Sequence, residues 1–172
     1  MKTIRRGVFE TNSSSEHSAT VGEQIYVLPK AQYDQFKNGT AFFDSCYEKV
    51  VSVKRVFTEF KENKQYQEFV RKNQCRVLNT ENFMKLASLE HYWSEDYILK
   101  QFKKEKITQF HITKELVGIV REFLEKNSYN IYCRFYEEHS GNDDCDYIEK
   151  EVKTSRHTTV VAFGHAWAYC DD

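Results

Sequence analysis

The chain contains one proline and six glycines in 172 residues. So little of either excludes proline-rich spacers, collagen-like repeats and Gly/Ser linkers. No run of about 18 apolar residues occurs, so no membrane-spanning helix is predicted. The basic N-terminus leads into Ser, Thr and Asn rather than an apolar stretch, which is not the pattern of a secretory leader. Five cysteines are scattered through the sequence without a C-x-x-C pair. Their odd number and loose spacing predict reduced thiols in a cytoplasmic protein, not a disulfide scaffold. An excess of one charge is missing too: 25 Lys and Arg stand against 26 Asp and Glu, for a net charge of -1. Counterion-release binding needs a basic face, so strong direct nucleic-acid binding is not expected.

Aromatic residues are abundant: 13 Phe, 11 Tyr and 2 Trp. Rings in this proportion suit sheets and contact surfaces more than a Leu-rich bundle. The length is enough to bury one core, and neither a repeat nor a linker divides the chain. Residues 1–172 are therefore expected to form a single domain.

Hydrophobic period and punctuation predict the elements. Ser18 to Leu28 reads as a strand. Pro29 opens a short helix, Lys30 to Lys37, which Asn38-Gly39 closes. Thr40 to Phe43 is a brief strand or turn, and the alternation from Lys49 to Phe57 predicts a strand. Spacings of three and four then give helices over Thr58–Lys72, Thr80–Leu89, Ser94–Lys104 and Lys114–Lys126, the last with a stripe of Leu116, Ile119, Val120, Phe123 and Leu124. From Asn130 the period returns to two. Asn130–Glu137, Cys145–Lys153 and Thr158–Tyr169, separated by turns at Ser140-Gly141-Asn142-Asp143 and Ser155-Arg156, predict a three-stranded antiparallel meander. The expected class is α+β: short N-terminal strands, central helices and a C-terminal three-stranded antiparallel meander.

That meander would gather candidate chemistry at one edge. A five-residue first turn pairs His139 with Cys145, and a two-residue second turn sets Cys145 opposite Ala166. Period two then puts Cys170 on the same face. With His165 close behind and His17 brought over from the N-terminal loop, the set approaches the Cys/His composition of structural zinc. The competing expectation is that these are ordinary buried cysteines and turn histidines, since both occur commonly without a metal.

The acids Asp143, Asp144, Asp146 and Glu149 crowd the hairpin before and within Cys145–Lys153. Together with Trp167 they are candidate partner-binding residues, since carboxylates can face a basic groove and Trp is a frequent interface anchor. Trp93 and Tyr136 are further candidate anchors. Alternatively, Glu151-Val152-Lys153 has the E-x-K form of a metal-dependent nuclease. Glu149 and Glu151, with Arg5 or Arg6 and Ser13 or Ser15, supply the residue types of an ADP-ribosyltransferase. The arginines and serines stand too close together for the usual strand-borne arrangement of that class. Charge blocks are more often solvated faces than catalytic centres.

The most specified stretch is Arg5-Arg6-Gly7-Val8-Phe9-Glu10-Thr11-Asn12-Ser13-Ser14-Ser15-Glu16-His17-Ser18. Its serines can bond their own loop, or leave backbone N–H groups free for an anion. It resembles the R-x-x-x-F-E-T-N-S-S-S-x-H-S opening of small phage and mobile-element proteins of Firmicutes, over some 14 of the 172 residues. The resemblance implies a phage protein acting in the host cytosol. Proteins of this size and kind include type II anti-CRISPR proteins, so the implied partner is a host protein such as Cas9 or its guide-RNA complex. No catalytic residue is implied.

Overall fold

The computed structural model describes residues 19–89, 93–107, 109–132, 145–155 and 158–170. Among them are six helices and two three-stranded antiparallel sheets, an α+β fold. Strand β1 (Ala19–Pro29) runs into helix α1 (Lys30–Lys37), with Pro29 at the cap position and Gly39 at a φ of 65° just past the end. That left-handed turn is one that glycine adopts without a Cβ clash. Strands β2 (Ala41–Asp44) and β3 (Lys49–Ser52) form a hairpin.

The strand predicted over Lys49–Phe57 stops at Ser52 and becomes helix α2 (Val53–Lys61). The Ser52 hydroxyl accepts a hydrogen bond from the Arg55 backbone N–H, capping the new helix. The single helix predicted over Thr58–Lys72 is likewise divided, because Asn63 caps helix α3 (Lys64–Asn73) through the Tyr66 N–H. Helices α4 (Thr80–Leu89), α5 (Glu95–Lys104) and α6 (Lys114–Lys126) follow their predicted spans, the last two with Ser94 and Thr113 as caps.

Of the predicted meander, strands β5 (Cys145–Lys153) and β6 (Thr159–Cys170) pair as expected, and β1 adds to the free edge of β6, giving the order β1-β6-β5 among the described residues. Tyr129–Asn130, at the start of the predicted first strand, forms the two-residue strand β4 on β2, in the other sheet. Residues 133–144 lie outside the described residues. Strand β1 runs in register with β6 over 11 residues, and β5 pairs with the other edge of β6 over nine.

Two cores share β2, whose four residues are all buried. Phe43 turns toward the β1-β6-β5 sheet and packs with Tyr26, Phe36 and Phe163. Its neighbour Phe42 turns the other way, into a helical core where Phe60 stacks on Tyr66 at 4.3 Å and Phe83 at 4.7 Å. No helix among the described residues is long and apolar enough to cross a membrane.

Candidate functional site

The predicted acidic strand meets α1. Residues Lys30, Tyr33, Asp34 and Lys37 recur at helical spacing on one side of α1, and Tyr147, Glu149 and Glu151 alternate along β5. The two patterns lock. Lys37 Nζ donates to both Glu149 carboxylate oxygens at 2.9 and 3.1 Å, and Lys30 lies 2.7 Å from Glu151 and 3.1 Å from Asp34. Between these pairs the hydroxyls of Tyr33 and Tyr147 are 2.9 Å apart. The Lys37 ammonium also stands 5.6 Å from the ring centroids of Tyr33 and Tyr132. His165, only 2% exposed, packs its ring edge-on against Tyr147.

Proton affinities in this seam are displaced away from neutrality. Burial, then the hydrogen bonds to Tyr147 and Glu149, push the Tyr33 phenol well above its usual range. Burial does the same for Tyr147. The hydrogen bond to Glu149 raises Lys37, and the bond to Glu151 raises Lys30. Elsewhere, burial works to raise the Glu59 carboxyl, but hydrogen bonds from Tyr129 and Arg55 outweigh it and hold it low. A general base or acid for work near pH 7 needs the opposite displacement. The seam holds neutral phenols and fixed ammonium groups, which suits fastening a helix to a sheet.

The sequence-predicted residues fall out as follows. Cys145 pairs with Trp167, not with Ala166, which stands opposite Asp146. Cys170 is an odd number of positions beyond Trp167, so the period of two assigns Cys145 and Cys170 to opposite faces. His165 pairs with Tyr147 and shares the face of the Cys145–Trp167 pair. The pairing thus differs from the predicted one by a single residue. His17, His139, Asp143 and Asp144 lie outside the described residues, as does Tyr136; Asp146 and Trp167 are described by their strand positions alone. Among the described residues no group of three or more His, Cys, Asp or Glu is placed to hold a metal ion. Glu151, which figures in both enzymatic alternatives, and Glu149, which figures in the ADP-ribosyltransferase alternative, are held by lysines of α1.

Two features add to this inventory. Trp93 is 46% exposed and stacks on Tyr97 at 4.2 Å, just before and within α5. A cleft of about 660 Å³ lies between α3 and α6, lined by Phe69, Arg71, Gly118 and Ile119 among others. Gln65–Glu122 and Lys72–Glu115 contacts, at 2.8 and 3.2 Å, bridge the same two helices. The role of Lys30 and Lys37 was missed in the sequence, although their spacing in α1 complements the Glu-x-Glu of β5. Comparison with family models, with curated proteins and with solved structures gives no match.

Proposed function

We propose that this protein is a non-enzymatic phage anti-defence protein that inhibits a CRISPR-Cas9 effector by direct protein binding in the host cytosol. The target class comes from the resemblance carried by residues 5–18. The binding mode is supported by one observation above the others: Glu149 and Glu151 of the acidic strand are paired with Lys37 and Lys30, and the titrating groups of that seam are displaced away from catalytic range. Exposed Trp93 is an aromatic anchor of the kind that carries interface energy. Asp143, Asp144 and Asp146 are the remaining acids for a basic partner surface, because Glu149 is already paired.

The test is affinity capture of the tagged chain from a CRISPR-bearing host, followed by target-DNA cleavage with purified Cas9–guide complex. Retention of Cas9 and loss of cleavage are expected, with Trp93→Ala weakening retention. Failure to retain any Cas protein would remove this function. Metal-dependent cleavage of DNA or RNA by the chain itself, abolished by Glu151→Ala and Lys153→Ala, would replace it with the nuclease.

A further inference from the structure

The chain as a whole is nearly neutral, but helix α5 and the turn after it are not. Between Glu95 and Lys106 stand three acids and four lysines. Each acid is met by a cation from another element. Glu95 lies 3.9 Å from Arg121 and Asp96 2.9 Å from Lys114, both of α6, while Glu105 pairs with Lys85 of α4. Lys100, Lys103, Lys104 and Lys106 are exposed and have no ion pair among the described residues. Four positive charges are therefore left over on one short segment. Lys103 and Lys104 lie in the last turn, where cations offset the helix dipole; Lys100 is a turn earlier and Lys106 lies beyond the cap, so the dipole does not account for the set. Lys106 takes the left-handed place of the closing turn, at a φ of 56°, and its N–H meets the Lys103 carbonyl at 3.0 Å, which keeps the fourth lysine at the helix end.

The same side of α5 carries a ring platform. Tyr97, Lys100 and Lys104 are spaced i, i+3 and i+7, opposite the buried Ile98 and Phe102. Trp93, which is 46% exposed, stacks on Tyr97 with ring centroids 4.2 Å apart and 24° between the planes. Flat aromatic surface thus stands at the head of a line of ammonium groups about 10 Å long.

We infer that this strip binds a single nucleic-acid strand, with a base stacked on Trp93 and the phosphates on the four lysines. An unpaired strand offers both things the strip can take, a flat π face and a repeated negative charge. An acidic peptide would meet the ammonium groups and leave the indole without a stacking partner. A lipid surface needs several apolar side chains to insert, and Trp93 is the one large hydrophobic exposed among the described residues of 93–106. A duplex keeps its base faces inside its own stack. This inference goes beyond the protein-binding function proposed above and stands without it.

The test is fluorescence anisotropy of a labelled 15-nucleotide uridine RNA titrated with the full chain. Saturable binding is expected, weakened at least about fivefold by Trp93→Ala, since stacking on one ring is worth that much. At a salt slope of about −0.7 per phosphate contact, four lysines give an affinity loss of about fiftyfold between 50 and 200 mM salt. Lys100→Gln with Lys104→Gln should cut that loss to about sevenfold. Lys54→Gln with Lys150→Gln removes the same charge from exposed, unpaired lysines of α2 and β5 and should leave binding unchanged. Circular dichroism melts verify that the variants fold. No saturable binding at 50 mM salt overturns the inference, as does equal weakening by the two lysine pairs, which would mean net charge alone. Binding indifferent to Trp93→Ala, an equally tight duplex of the same length, or displacement by polyglutamate as effective as by unlabelled RNA also overturns it. Cas9 retention measured with nucleases present is a separate readout, so the strip and the proposed function can each fail alone.

Discussion

Gly164 offers the sharpest check on the fold. It sits in the middle of the central strand β6, at a φ of 150°, where its missing Cβ points at the backbone of β1. An alanine there would place a methyl 1.9 Å from Gln24 O, 2.9 Å from Gln24 C and 3.0 Å from Ile25 Cα. These are backbone atoms of a paired strand, so no rotamer change relieves the overlap. An L-residue held in so rarely populated a backbone region costs about 1–3 kcal/mol. Pushing β1 off its ladder adds a further overpacking cost of about 1–3 kcal/mol. The expected loss for Gly164→Ala is thus roughly 2–6 kcal/mol, a large share of the 5–15 kcal/mol that holds a typical domain. At this chain length that corresponds to a fall in Tm of roughly 4–24 °C. Gly118 is the control. It lies inside α6 with nothing within 4 Å of where an added methyl would sit, so Gly118→Ala should gain about 0.5–1 kcal/mol in helix propensity. Thermal melts and urea titrations of the two variants beside the parent chain measure both signs. A Gly164→Ala melt within a degree or two of the parent would refute the β1–β6 packing described here.

Three further outcomes follow from the seam and its surroundings. Tyr33→Phe removes one side of the 2.9 Å hydroxyl contact with Tyr147 in a buried position and should lower stability by about 1 kcal/mol in urea titration; an unchanged midpoint would mean the contact contributes nothing. Tyr33 and Tyr147 have folded-state affinities for protons raised above the ordinary phenol value of 10.0, so their contribution is fully present below about pH 10 and is lost as pH rises beyond it. Urea midpoints should therefore fall between pH 9 and pH 11, and the fall should be smaller in Tyr33→Phe. Glu59 is held below its ordinary 4.5, so its contribution is present above that value and is lost as pH falls through the folded-state value. Glu59→Gln should flatten the acid side of the stability profile between pH 5 and pH 3, and an unaltered slope would refute the role of its bonds to Tyr129 and Arg55.

Elements governed by nearby residues were legible in the chain. Helix α6 and its cap Thr113, the Ser94 start of α5, the Pro29-to-Gly39 bracket of α1 and the limits of β5 depend on short-range periodicity and capping chemistry, and those residues stand next to one another in the sequence. The α+β class followed from the same local signals. The strand predicted through Phe57 failed because Val content and alternation cannot see a cap; the Ser52 hydroxyl turns the chain into a helix once Arg55 is positioned to donate.

Partnerships between distant segments were decided by tertiary structure. A local pattern says that β6 is a strand but not which segment pairs with its second edge, and the 11-residue ladder with β1 is what the fold contains. Register is equally non-local: a single step sets Cys145 beside Trp167 and parts it from Cys170 across the sheet, because side chains alternate faces at every residue. The acids of β5 looked available in the sequence, and it took the docking of α1 to give Glu149 and Glu151 their lysines. Composition and short-range chemistry thus determined which segments are helix and which are strand. Packing between segments more than a hundred residues apart decided which charges of β5 are neutralised, since that depends on neighbours that only the folded chain brings together.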